Sequence, residues 1–69
     1  MDPTLVGKAV KMAAIAHCFD TDRAGRPYIL HLLHVMGKMP TDELRIVAVL
    51  HDLMEYHPEN TPDALRRLG

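Results

Sequence analysis

Tryptophan is absent from this chain, phenylalanine occurs once (Phe19) and tyrosine twice (Tyr28 and Tyr56). A large aromatic cluster is therefore excluded, and the core must come from Leu, Val, Ile, Met and Ala. The single cysteine, Cys18, excludes an intrachain disulfide. It makes a reducing, cytoplasmic setting the expectation. No apolar run approaches the roughly 20 residues that a membrane-spanning helix needs, and the N-terminus lacks the unbroken apolar stretch of a secretory leader. Neither sign of charge is in excess: 8 Lys and Arg against 9 Asp and Glu leave a net −1. That balance offers DNA or RNA no electrostatic footprint. The one dense basic spot, Arg66-Arg67, stands near the expected C-terminus of a helix, where the dipole favours cations.

What remains is a short, apolar, helix-prone sequence. Its 69 residues allow one domain with a limited core. A hydrophobic content of 48% places it among globular chains rather than disordered ones. Five Met and abundant Leu and Ala favour helix over strand. Such a small, Met-containing core is also one that a second copy could complete, so a homo-oligomer is expected.

Four helices follow from the pattern. Asp2-Pro3 supplies a cap and a first-turn proline, and Leu5, Ala9, Met12, Ala13 and Ala16 recur at spacings of three and four, predicting a helix over about 3–18. The polar segment DTDRAGR, residues 20–26, reads as a loop. Pro27 opens a second, short helix that is apolar on most sides and ends at Gly37, with Pro40 enforcing the break. Thr41 caps the third helix, with Asp42 and Glu43 in its first turn. The β-branched stretch RIVAVL could instead be a strand, but the cap and the length of the pattern favour helix. Pro58 stops it, and Thr61-Pro62 repeats the cap-plus-proline start for a short last helix. The short connection Gly37–Pro40 makes the second and third helices antiparallel neighbours.

Several ionisable groups interrupt these apolar helices. His31 lies inside YILHLLHV, where an imidazole must find a partner or stay neutral; His34 follows at i+3. His51 and Asp52 are adjacent in the third helix and project about 100° apart, so both can reach a common point only beside the helix, in a cleft. Imidazole with carboxylate suits Mn²⁺, Fe²⁺, Co²⁺ or Zn²⁺ better than Ca²⁺. Glu55, at i+4 from His51, shares its face and is placed to align a water. His17 and His57 stand at helix ends, where a terminal or dipole role accounts for them. The plain alternative for each lone His is a satisfied, half-buried side chain, and for Glu55 a solvated helix face.

Taken in order, AAIAHCFDTDRAGRPYILH and the later AVLHDLMEY resemble the HD-domain metal-dependent phosphohydrolases. The similarity is greatest to the RelA/SpoT-type guanosine polyphosphate hydrolase branch, whose pattern runs A-x-x-A-H, a basic loop, G-x-P-Y-I-x-H-P and A-x-L-L-H-D-x-x-E-D. The resemblance implies an all-α HD-like helical domain over 1–69, a small bundle of about four helices corresponding to that domain's N-terminal half. It implies His31, His51 and Asp52 as ligands of a divalent metal, manganese first, with iron, cobalt or zinc as alternatives. It also implies Glu55 as the catalytic acid–base position, and Arg23 and Arg26 as contacts to a nucleotide or phosphorylated small molecule. Four features depart from the pattern. Leu32 replaces the proline after the first His. Tyr56 replaces the second acid. Asp22 stands at the position of the family's guanine-stacking arginine, with Arg23 one residue late. The fourth ligand, an Asp further downstream, would lie beyond Gly69. These departures sustain an alternative reading: a non-catalytic HD-derived module that binds a nucleotide, a metal or a protein, completed by oligomerisation.

Overall fold

Helical propensity, caps and proline stops produce four α-helices in the computed structural model, which describes residues 2–68. They are α1 (Thr4–Ala16), α2 (Tyr28–Gly37), α3 (Asp42–Tyr56) and α4 (Thr61–Leu68). The fold is all-α, with no strand among the described residues. The segment RIVAVL is helical throughout.

Ahead of α1, the Asp2 carboxylate accepts from the Thr4 amide and hydroxyl, both at 2.8 Å, filling part of the donor deficit of a helix start. α1 ends at Ala16, two residues before the expected end at 18, because His17 closes the last turn onto the Ala13 carbonyl and then leaves helical geometry. At α3 the Thr41 side chain accepts from the Leu44 amide at 3.2 Å, as its cap position requires. Arg45 then pairs with Asp42 at 2.6 Å and donates to the Met36 carbonyl at 3.3 Å, tying the start of α3 to the end of α2.

The start of α4 differs from the sequence expectation. Thr61 is not a cap: a 3₁₀ turn, Pro58–Asn60, runs directly into α4, and Thr61 already has helical angles. The reason is that the Asn60 amide bonds back to the His57 carbonyl at 2.9 Å, so the chain is wound before Thr61 is reached. The Thr61 hydroxyl is left buried without a partner.

The buried core follows helical periodicity: Ala9 and Ala13 from α1, Leu32 and Met36 from α2, Ile46, Val49 and Leu53 from α3, and Ala64 from α4. α3 is central and packs against the other three helices. The alanines of α1 and α4 present small faces to it, which lets the backbones approach. The core stays thin. The Cα extents are 35 × 27 × 16 Å, and the smallest corresponds to two helix layers packed about 8–10 Å apart. The accessible surface of 4776 Å² exceeds the roughly 4400 Å² expected for this mass. Ile15, Val47, Met54 and Leu65 are all more than half exposed, so apolar surface is left uncovered on several helices.

Natural domains hold roughly 0.05–0.15 kcal/mol of stability per residue, which gives a chain of 69 residues about 3–10 kcal/mol. Leu53, 1% exposed at the centre of α3, is expected to cost about 2–5 kcal/mol on truncation to Ala. Leu53→Ala should sharply lower the midpoint of urea unfolding followed by circular dichroism, for a loss of about 2–5 kcal/mol. Val47→Ala, on the exposed side of the same helix, should shift stability by no more than about 0.5 kcal/mol.

Candidate metal centre and adjoining hollow

A tight turn after α1 starts the site. Asp22 organises it: its carboxylate accepts from the Ala24 amide at 2.8 Å and the Arg26 amide at 3.0 Å, and its own amide donates to the Arg26 carbonyl at 2.8 Å. Gly25 closes the turn with φ +79°, a conformation L side chains rarely adopt, although a Cβ would meet nothing there. Thr21 and Pro27 then pair as an isolated antiparallel bridge. Asp22 thus serves as the scaffold of the loop that carries Arg23 and Arg26.

This turn brings the end of α1, the start of α2 and the end of α3 together. His17, which caps α1, is buried. Its Nδ1 lies 2.8 Å from Asp20 Oδ2, and a carboxylate only accepts, so the proton on that contact belongs to the imidazole. Its Nε2 lies 2.8 Å from Asp52 Oδ2. The orientation of that second contact is outside hydrogen-bond geometry, so His17 Nε2 and Asp52 Oδ2 both remain buried without a hydrogen-bond partner. The Tyr28 hydroxyl, at the first residue of α2, donates to Asp52 Oδ1 at 2.7 Å. His57, which caps α3, returns to the same carboxylate as His17, with Nε2 2.5 Å from Asp20 Oδ2. Its Nδ1 lies 3.4 Å from Glu59 Oε1.

The electrostatics follow from these contacts. Hydrogen bonds from His57 first, and from His17 second, hold the Asp20 carboxyl below its usual value of 3.8. The hydrogen bond to Asp20 raises His57 above the usual imidazole value of 6.5, against a smaller opposing effect of burial. Burial, followed by the hydrogen bond to Asp52, pushes the Tyr28 phenol upward, so it remains a donor at neutral pH.

Two hollows meet at Tyr28 and His31, which line both. The larger, about 820 Å³, is bordered by His17, Asp20, Arg23, Tyr56 and His57, with Phe19 at its edge. Phe19 is 95% exposed. The smaller, about 360 Å³, opens between α2 and α3 and is bordered by His51 and Asp52 together with apolar side chains such as Leu32, Val35 and Val47. His31, His51 and Asp52 thus border one hollow, His31 and His51 from exposed positions and Asp52 from a mostly buried one, but their donor atoms are not gathered within 4.8 Å of one another as those of His17, Asp20 and His57 are. Glu55 is exposed, with Oε2 3.8 Å from His51 Nδ1, as the i+4 spacing predicts. Arg23 borders the larger hollow, whereas Arg26 is exposed and contributes its backbone to the turn.

His17, Asp20 and His57 form a group that could hold a metal ion, with one donor atom from each lying within 4.8 Å of the others. The helix-end explanation for His17 and His57 does not describe what they do. For His17 a signal was present in the sequence: Ala9, Ala13 and His17 are spaced by four, so His17 extends the buried stripe of α1. For His57 and Asp20, 37 positions apart, no local signal exists. No protein-family model, curated protein or solved structure matches the chain.

The Asp20–His57 pair sets a pH window in the metal-free protein. His57, raised on folding, contributes fully below 6.5 and loses its contribution as pH climbs through the raised value. Asp20, lowered on folding, contributes above 3.8 and loses its contribution as pH falls through the depressed value. In EDTA, the stability difference between wild type and His57→Gln should therefore be largest between these limits and shrink above and below them. A difference that is flat from pH 4 to 9 would remove the pair as a stabilising contact.

Proposed function

We propose that the chain is a metal-dependent phosphohydrolase-like domain acting on a nucleotide or a related phosphorylated small molecule. The observation that carries this reading is the placement of His31, His51 and Asp52 around one hollow, since these residues carry the resemblance to HD-type hydrolases. The donor chemistry fits a divalent ion. Two imidazoles and one carboxylate suit manganese, iron, cobalt or zinc, with manganese preferred by resemblance. In the metal-free chain Asp52 Oδ2 faces His17 Nε2 at 2.8 Å, so the carboxylate would have to turn to meet an ion beside His31 and His51.

An ion held by these residues would polarise phosphate oxygens and acidify a bound water. The remaining roles fall to the chain itself. The Tyr28 hydroxyl fixes the Asp52 carboxylate through Oδ1. The Glu55 carboxylate, exposed and 3.8 Å from His51, is the group that the resemblance assigns to accept a proton from a water. Arg23, on the wall of the adjoining hollow, offers its guanidinium to a phosphate. Tyr56, where the family pattern has a second acid, leans on Tyr28 with ring centroids 5.6 Å apart. That position therefore presents an aromatic surface in place of a carboxylate. This favours a slow enzyme, or in the alternative reading a module that binds without turnover. The exposed, free Cys18 accords with a cytoplasmic setting, and the uncovered apolar side chains accord with a second copy as partner.

The test is phosphate or pyrophosphate release from guanosine polyphosphates and simpler nucleotides, with and without Mn²⁺. Manganese-dependent release is expected, with a loss of about 100-fold or more for His31→Ala, His51→Ala and Asp52→Ala if each supplies a metal donor, since even an outer-sphere partner of a metal site is worth 10–100-fold. Nucleotide binding without release in the wild type would select the non-catalytic module. Full activity in any one of the three variants would remove that residue from the metal.

A further inference from the structure

We propose that His17, Asp20 and His57 form a second divalent-cation site, of the zinc-preferring His₂Asp type, separate from the hollow that holds His31 and His51. This site does not depend on the hydrolase reading.

Three observations carry it. First, the two imidazoles converge. His17 Nδ1 and His57 Nε2 point at the same carboxylate oxygen, at 2.8 and 2.5 Å, and their ring centroids are 4.8 Å apart. Each ring stands at the C-terminal cap of a helix, α1 and α3, and these two helices pack against each other. The pair of rings is therefore held from two sides of the core.

Second, each ring has a carboxylate at its other nitrogen. Asp52 Oδ2 lies 2.8 Å from His17 Nε2, and Glu59 Oε1 lies 3.4 Å from His57 Nδ1. A metal-bound histidine commonly has this arrangement, in which the outer carboxylate fixes the ring and raises its basicity. A hydrogen-bonded His–Asp–His chain has no need of two further carboxylates. Here His17 Nε2 and Asp52 Oδ2 are also buried and unsatisfied, so the present arrangement leaves the outer contact unfinished.

Third, the space is right. Donors about 2.1 Å from a tetrahedral ion are about 3.4 Å from one another, so the two N···O contacts need to open by less than about 1 Å. Asp20 can supply that movement, since it sits in the turn after α1 with its side chain 35% exposed. A cation entering there displaces the protons that bridge each imidazole to Oδ2. The cluster borders the 820 Å³ hollow, which leaves a fourth position open to water or to an anionic ligand, as in zinc sites with three protein donors.

The test uses Zn²⁺ alone on the full chain, following binding by calorimetry and the imidazole ¹⁵N resonances by NMR. Zinc should shift His17 Nδ1 and His57 Nε2, and should still do so in the His31→Ala/His51→Ala double variant. Asp20→Asn and His57→Ala, both at partly exposed positions, should weaken that binding by at least about 10-fold, the lower end of the loss for even an outer partner. Unchanged ¹⁵N resonances of His17 and His57, or zinc affinity that survives both single variants, would overturn the site. Zinc binding lost only in the His31/His51 double variant would overturn it too, by placing the ion in the other hollow. A lack of nucleotide hydrolysis would count against the hydrolase reading and leave this site standing.

Discussion

The structure around both hollows depends on one buried imidazole. His17 sits between two carboxylates, Asp20 on one ring nitrogen and Asp52 on the other. Taking these groups out of water is costly unless they are paired, and the Asp20 contact is a hydrogen bond whereas the 2.8 Å approach to Asp52 is not. The arrangement therefore constrains three helices at once. His17 belongs to the end of α1 and Asp52 to α3, and Tyr28 brings the start of α2 onto Asp52. His57 closes the circuit from the end of α3 back to Asp20. Losing Tyr28 would leave Asp52 Oδ1 without its donor, which costs more than the contact itself contributes.

This polar circuit also explains why a helix so apolar carries ionisable groups at its C-terminal end. α3 is the central core helix through Ile46, Val49 and Leu53. Beyond that point it emerges beside the turn of residues 20–27, where the packed layer ends. Asp52 is the branching point: one oxygen accepts from Tyr28 and the other faces His17 from a buried position. A charge placed in either hollow would be felt by Asp52, so the two hollows are electrostatically coupled through it. The shared wall of Tyr28 and His31 couples them sterically.

Small size sets the opposite constraint. Among the described residues eight buried apolar side chains form the core, four of them Ala or Val, and their total apolar volume is modest. Helix–helix packing alone leaves Ile15, Val47, Met54 and Leu65 facing solvent. Specific polar contacts thus carry an unusual share of the tertiary definition, among them the Arg45 link between α2 and α3 and the Asp22 turn that presents Arg23.

Much of the fold could be read from the residues in order. Thr41 with Asp42 and Glu43 marked a helix start, Gly37 and Pro40 marked a stop, and spacings of three and four marked the buried faces. These signals are local, because a helix closes its hydrogen bonds within four residues. The i+4 placement of His51 and Glu55 was legible for the same reason. The start of α4 was not, because a 3₁₀ turn satisfied the backbone before Thr61 could cap it. The convergence of His17, Asp20 and His57 was not legible either, nor was the contact of Tyr28 with Asp52. Asp20 and His57 are 37 positions apart and Tyr28 and Asp52 are 24 apart; only His17, four residues beyond Ala13 on the buried stripe of α1, carried a local signal. The sequence by itself determined where helices begin, which side of each is apolar, and which residues have the chemistry to hold a cation. Only the packing of α1 against α3 decided which of those residues meet, because the distances between them depend on where two helix ends come to rest.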